Sequence, residues 1–421
     1  MINFQLSEHI QQQVRMIEAM ANTLMRPIAR EYDERESEPA WEYINPIWEV
    51  TKVRANADLE RSLQKSSSEG STNGTETKKQ RTGNIAFVHF VEMMSWGDVG
   101  LYLSTPNAGL GGAAIDAVGT PEQKERFLRR FTEGKPKWGA MAITESHAGS
   151  DTANIKASAR LDTETNEWVL NGEKIFITSG KMAGTQPDGL VVVWATVDAS
   201  AGRAGIKSFV VEAGTPGFTV AHTEKKLGIR ASDTSTLVFD DCRIPYDNIL
   251  GSAEVINGKG RKGFKGVMKT FDNTRPIVAA SAMGVGRAAL EFTLQELENN
   301  GIRPRFDAPP HEWTAMERDL MKMKAQHKAA WLLTKRAAWM TDQKMHNPIE
   351  ASMCKAKAGT AVTWITQKAV ELLGPLGYSR EILVEKWMRD AKINDIYEGT
   401  YQINLLIIAR RMLGYSREQL K

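Results

Sequence analysis

Glu167 to Thr178 reads EWVLNGEKIFIT, and the reading of this stretch decides the fold. EWVL and EKIFIT are short apolar or alternating runs, and Asn171-Gly172 between them is a strong hairpin signal. Working outward, residues 138 to about 250 carry more such runs: WGAMAIT, GLVVVWATV, SFVVE, FTVAH and STLVFD. Helical spacing lies on both sides of this β region. Residues 7 to about 62 read as helical, with Ser7 capping a run that places Ile10, Val14, Ile17 and Met20 on one face. An interruption is expected near Pro39 and Pro46, with Trp41, Tyr43 and Trp48 packing there. Residues 84 to 134 return to a helical pattern, and Thr120-Pro121-Glu122-Gln123 is a good helix start. The glycines of GLGGAAIDAVG follow no strand of a βαβ unit, so they suit close helix packing better than a dinucleotide site. After Gly263 helices are expected at 276–300, 312–343, 349–373 and 402–413. The order is therefore α, then β, then α, which argues against a doubly wound sheet. The expected fold class is α+β: an N-terminal helical domain over 1–135, a middle β domain over 136–252 and a C-terminal helical domain over 253–421.

Bulk properties exclude little and require little. The chain has 421 residues, 42% hydrophobic and 25% charged, with a net charge of +3. These values suit a globular protein and call for neither nucleic acid nor membrane as partner. Lys65 to Gly83 is nearly free of apolar residues and reads as a polar insert that cannot bury enough surface to offset its ordering entropy. The sequon at Asn73-Gly74-Thr75 is discounted in a chain expected to be cytoplasmic. Cys242 and Cys354 are far apart, a reducing compartment is the simplest inference, and the scattered histidines give no metal-ligand spacing. No stretch reads as a transmembrane helix, and the N-terminus lacks the pattern of a secretory signal.

The stretch that carries chemistry is MRDAKINDIYEGTYQ, residues 388–402. Glu398 precedes Gly399 and Thr400 at an expected break between two helices, where glycine lets the backbone turn and a ligand approach. A carboxylate among Ile396 and Tyr397 loses water, which raises its pKa towards the range of a general base; the plain alternative is a surface Glu in a turn. AITESHAGSD (142–151) is a glycine- and hydroxyl-containing loop after a strand, able to offer N–H and O–H donors from residues such as Thr144 and Ser150, or simply a connection. In FITSG (176–180), alternation places Phe176 and Thr178 on one strand face. In FDNTRP (271–276), Asp272 and Arg275 share a helix face, as a local ion pair would.

These four blocks, in this order, resemble the acyl-CoA dehydrogenase family, and GTPEQKERFL resembles it too. The resemblance covers roughly residues 115 to 413. It implies three domains, the first helical, the second a β-barrel or sandwich and the third a C-terminal four-helix bundle, with FAD as cofactor and an acyl-CoA as substrate. Met141, Ile143, Thr144, Gly149 and Ser150 would line the flavin, with Ser150 also touching the CoA portion. Phe176, Ile177 and Thr178 would cover the ring, and Thr400 and Gln402 would reach it. Phe271, Asp272 and Arg275 would lie at the acyl-CoA site. Glu398 would be the α-proton base, because the alternative position used by some branches is Thr274 here, and the Gly399 N–H would face the thioester carbonyl. FDNTRP with IYEGT most resembles the medium-chain branch. A homotetramer or homodimer and an electron-transfer flavoprotein as acceptor follow from the same resemblance.

Three stretches depart from the family pattern. GIRPRFDAPPHEW offers Arg303, which would reach FAD in a neighbouring subunit, together with Arg305 and Phe306, but Asp307 replaces a glycine. ELLGPLGY (371–378) places Glu371 where relatives have a Gln, an unfavourable charge near a pyrophosphate unless paired. The Pro-x-x-x-Gly-Gly loop of the first domain is missing, and the polar insert falls roughly there. Other readings on the same fold are an acyl-CoA oxidase, another flavin oxidase or monooxygenase, or a DNA-associated relative; the near-balanced charge gives the last little support.

Overall fold

EWVLNGEKIFIT does not turn at Asn171-Gly172. It forms one unbroken strand, and the glycine is a bulge. The structure is a computed structural model that describes residues 4–68, 82–255 and 262–416 together with Gln419; the side chains of residues 65–68 and 262–273 are outside the description, as is most of the polar insert with its sequon. The N-terminal helices are α1 (Glu8–Met20), α2 (Ala29–Arg35), α3 (Trp41–Ser68), α4 (Gly83–Ser104), α5 (Gly109–Val118) and α6 (Pro121–Leu128). The middle region holds β1 (Gly139–Ala142), β2 (Ser158–Asp162), β3 (Glu167–Thr178), the short α7 (Gly180–Thr185), β4 (Leu190–Thr196), β5 (Ile206–Glu212), β6 (Phe218–Thr223) and β7 (Thr234–Pro245). The C-terminal helices are α8 (Lys262–Asn299), α9 (Ala315–Asp342), α10 (Pro348–Tyr378), α11 (Val384–Ala391) and α12 (Tyr401–Leu413).

The seven strands form one sheet, ordered β1-β4-β2-β3-β7-β6, with β5 paired antiparallel to β4. Both halves of β3 pair with β7, from Glu167 opposite Pro245 to Thr178 opposite Thr234. The register slips between Leu170 and Gly172, where Gly172 has φ of 141° and an added Cβ would lie 2.7 Å from the Ala157 Cβ. A glycine inside a strand marks such a bulge. The turn lies instead at residues 163–166, between the antiparallel β2 and β3, with Asn166 left-handed at φ 57°. A second slip between Lys174 and Ile177 puts Phe176 at φ 57°, yet Phe176 and Thr178 stay on the less buried side with Ile177 buried between them.

Local capping accounts for several helix starts. The Ser7 hydroxyl accepts from the Ile10 N–H at 3.4 Å, and Thr120 forms a reciprocal capping box with Gln123. The break falls at residues 36–40, which include Pro39 and where Glu36 and Ser37 have positive φ, whereas Pro46 lies within α3 and does not interrupt it. Tyr43 and Trp48 are buried, whereas Trp41 is exposed. α8 begins before the expected position and carries Pro276 inside it. Gly111 of α5 stands so close to β1 that a Cβ would lie 2.5 Å from the Ala140 carbonyl. So the small residues pack this helix on a strand.

α4 ties the layers together. It adds Met94 and Leu101 to the sheet core and Val99 to the core of the C-terminal helices, and it bends at Asp98. Thr274–Asn299 is, against expectation, long and apolar enough to cross a membrane, with a mean hydropathy of 1.3. Its apolar length packs inside the helical bundle instead: 72% of the apolar window is buried.

Candidate active site

One cleft of about 2990 Å³ runs between the three regions. Ordinary small-molecule pockets span about 300–1,000 Å³, so this one has room for two extended ligands. Met141, Ile143, Thr144, Gly149 and Ser150 line it, as do Phe176, Ile177, Thr178, Arg275, Glu398, Gly399 and Thr400. Arg303 and Gln402 are exposed and are not among its lining residues. The side chains of Phe271 and Asp272 lie outside the described residues.

The loop after β1 is held from inside. Glu145 accepts from the N–H groups of Lys156 at 2.7 Å and Ala157 at 2.9 Å, and pairs with buried Lys174 at 2.6 Å. Lys174 also donates to the Ile143 carbonyl at 3.1 Å, and the Ile175 N–H donates to the Thr144 carbonyl at 2.9 Å. Burial pushes the Glu145 carboxyl up, but these hydrogen bonds and the Lys174 charge outweigh it and hold the group below the usual carboxylate range. Glu145 thus fixes the path on which Thr144 and Ser150 stand. Within this loop the His147 ring lies 3.2 Å from the Asn154 carbonyl.

Phe176 is 61% exposed although it sits in the middle of a domain, and it lines the cleft beside Thr178. Its left-handed backbone presents the ring to the cleft rather than to the sheet core. An exposed aromatic next to hydroxyl and backbone donors suits a flat ring with a polar edge, so these residues fit a flavin.

Glu398 stands opposite, between the 3-10 turn Lys392–Asp395 and α12. Its φ is 50° and that of Gly399 is 94°, two successive left-handed residues. For a glutamate this is a strained conformation that surrounding contacts must hold. The Thr400 hydroxyl caps α12 by accepting from the Ile403 N–H at 3.2 Å. The Gly399 carbonyl accepts from Lys355 Nζ at 2.7 Å and Asn404 Nδ2 at 2.9 Å. The Glu398 carboxylate takes a hydrogen bond from the Thr274 hydroxyl, while its Oε2 is buried with no hydrogen-bond partner among the described residues. Burial raises its pKa above the ordinary carboxylate value, opposed by the Thr274 bond and by the charges of Lys355 and Arg275.

Sequence reasoning did not single out Lys355 or Asn404. Lys355 lies on the buried stripe of α10 with Ala351, Ala358 and Val362, and a lone lysine among small apolar residues was the available signal. In the two divergent segments, Arg305 pairs with Glu317, the capping residue of α9, at 3.0 Å. α10 bends at Gly374, and Lys368 pairs with Glu371, which neutralises the charge that looked unfavourable.

Comparison with known proteins agrees with this geometry. Residues 140–242 match the acyl-CoA dehydrogenase middle domain and residues 261–413 its C-terminal domain. The chain is 38% identical over 331 residues to the mitochondrial short-chain specific acyl-CoA dehydrogenase of Bos taurus, covering 78% of this chain and 76% of that one. It is 37% identical over 300 residues to the acryloyl-CoA reductase (NADH) of Anaerotignum propionicum, covering 71% and 72%. Among solved structures, butyryl-CoA dehydrogenase from Megasphaera elsdenii superposes with a TM-score of 0.79 at 31% identity, over 98% of this chain and all of that one. A chain from the electron transferring flavoprotein study of Acidaminococcus fermentans superposes at 0.80 with 29% identity, over 98% and 100%. The Bos taurus relative is a short-chain specific enzyme, whereas FDNTRP and IYEGT resemble the medium-chain branch.

Proposed function

The chain belongs to the acyl-CoA dehydrogenase family, and from that premise we propose that Glu398 removes the α-proton of a short-chain acyl-CoA thioester. The enzyme is an FAD-dependent oxidoreductase. The observation that carries the assignment of the base is the Glu398 carboxylate itself: it lines the cleft from a left-handed backbone, and one buried oxygen has no hydrogen-bond partner among the described residues. Its contact with Thr274 adds support, because that is the position from which other branches of the family supply a base.

An α-proton of a thioester is weakly acidic, so the base needs a raised proton affinity and the carbonyl needs donors. Burial supplies the first to Glu398. The Gly399 N–H, on a peptide whose neighbour is anchored by Lys355 and Asn404, is assigned to the thioester carbonyl. Thr144, Phe176, Thr178 and Thr400 are assigned to the isoalloxazine, and Ser150 and Arg275 to the acyl-CoA. FAD, when bound, accepts the hydride from the β-carbon, so that loss of the α-proton to Glu398 leaves a trans-2-enoyl-CoA. The relationship to an acryloyl-CoA reductase favours a second reading of the same site, in which Glu398 returns the proton to Cα and the reaction runs towards the saturated thioester. An electron-transfer flavoprotein as redox partner is supported by the structural likeness to the Acidaminococcus fermentans chain. Assembly into a homotetramer or homodimer, with Arg303 and Gln402 serving a neighbouring subunit, belongs to the same proposal and accords with their position away from the cleft.

Replacing Glu398→Gln tests the assignment. The variant is expected to keep FAD and lose at least about a thousandfold in turnover, within the range of general-base contributions. Full activity in that variant would refute it.

A further inference from the structure

Lys355 is a buried cation beside the catalytic turn that touches no reacting atom in the assignment above. It is 1% exposed, on α10, and its ammonium donates to the Gly399 carbonyl rather than pairing directly with a carboxylate. A lysine is seldom placed in such a setting without compensation. The Gly399 carbonyl also accepts from Asn404, which is fully buried and donates at 3.0 Å to the Thr400 carbonyl as well. Two buried donors thus converge on one carbonyl, directly after a glutamate at φ 50°. Backbone strain of about 1–3 kcal/mol persists only where the surroundings over-determine it. Here the surroundings are these two side chains.

We propose that Lys355 is a positioning residue for Glu398, holding the left-handed Glu398–Gly399 turn through the Gly399 carbonyl and setting the charge state of the carboxylate with its fixed positive charge. The inference rests on the assignment of Glu398 as the base. The groups around that carboxylate can be named. From α8 come the Thr274 hydroxyl and the Arg275 cation, from α10 Lys355, from α4 the Tyr102 phenol, and from its own segment Tyr397. Asp395 and Cys354 act on Lys355 in turn. Burial lowers the Lys355 pKa to about 8, against the opposing pull of Glu398 and Asp395.

The test is the pH profile of flavin reduction by butyryl-CoA in the FAD-loaded protein, compared between wild type and Lys355→Met. A base must be ionised, and removing a nearby cation favours its protonated form. The acid limb of the profile is therefore expected to move up by about one pH unit, with a rate loss of about tenfold or more at pH 7 and partial recovery on adding ethylammonium. Exchange of the butyryl-CoA α-proton with solvent deuterium should shift in parallel. Lys355→Gln, which keeps a donor for the Gly399 carbonyl and drops the charge, provides the same measurement if the Met variant does not fold. A limb that stays in place while the rate falls at every pH would overturn the proposal, since a purely structural loss does that. Glu398→Gln in the same assay separates the two claims. If it remains active, the base assignment fails. If it is dead and the Lys355 limb does not move, only the positioning role fails.

Discussion

Lys386 and Lys355 lie on neighbouring helices, α11 and α10, and are 0% and 1% exposed. Their surroundings are opposite. Lys386 sits between Asp98 at 2.5 Å and Asp390 at 2.7 Å, and Asp390 also accepts from the Ile229 N–H at 2.5 Å. Burial would lower the pKa of this ammonium, but the two carboxylates outweigh it and raise it. Among the described residues Lys355 donates to a carbonyl oxygen and pairs with no carboxylate, so burial prevails and its pKa falls. The first lysine is compensated and joins α4 at its bend, the loop around Ile229, and α11. The second is under-compensated and holds the carbonyl of Gly399, directly after the left-handed Glu398. A buried charge matched by its neighbours fixes architecture, and one left partly unmatched keeps its influence for a site.

The largest effect should come from breaking the compensated lysine. Lys386→Met leaves Asp98 and Asp390 buried without their cation and is expected to cost about 3–5 kcal/mol of unfolding free energy. Denaturant unfolding of the FAD-loaded protein measures it, and a loss below about 1 kcal/mol would erase the contrast between the two lysines. Gly399→Ala should come next. At φ 94°, with an added Cβ 3.3 Å from Asn404 Nδ2, alanine is expected to cost about 1–2 kcal/mol and to depress flavin reduction more than it depresses stability. Equal effects on both would make the turn a packing feature only.

Thr274→Val should give the smallest shift. It removes the hydroxyl that favours the charged carboxylate, worth about 0.5–1.5 kcal/mol, so the acid limb should rise by about one pH unit or less. The direction in the wild type follows from the same balance. Burial raises the Glu398 pKa, so activity should climb with pH through a midpoint above the ordinary carboxylate range and be lost below it. A midpoint at or under the usual glutamate value would contradict the buried environment.

What the sequence disclosed follows the range of the interactions. The caps at Ser7 and Thr120 are local, and so is the α, β, α order of periodicities. IYEGT, with the loop 142–151 and FITSG, pointed to residues that line the cleft, among them Thr144, Phe176 and Glu398. Asn171-Gly172 misled because the same dipeptide serves a tight turn or a bulge, and the choice is made by β7, some 70 residues away, which pairs with both halves of β3. Pro46 misled because its position within the helix decides its cost. Lys355 was hidden because its partner is a carbonyl 44 residues on. No pattern of side-chain types marks that contact. The left-handed Glu398 was hidden too, since the glycine after it announces a turn without saying that the glutamate shares it.

The most direct test of the central claim is an anaerobic titration of the FAD-loaded protein with saturated acyl-CoAs of graded chain length and branching, following loss of the flavin's blue absorption band. A short-chain thioester such as butyryl-CoA is expected to bleach the flavin in the wild type, and to leave it oxidised in Glu398→Gln with FAD still bound. A wild-type flavin that no acyl-CoA bleaches, or bleaching by the glutamine variant at the wild-type rate, would contradict the account.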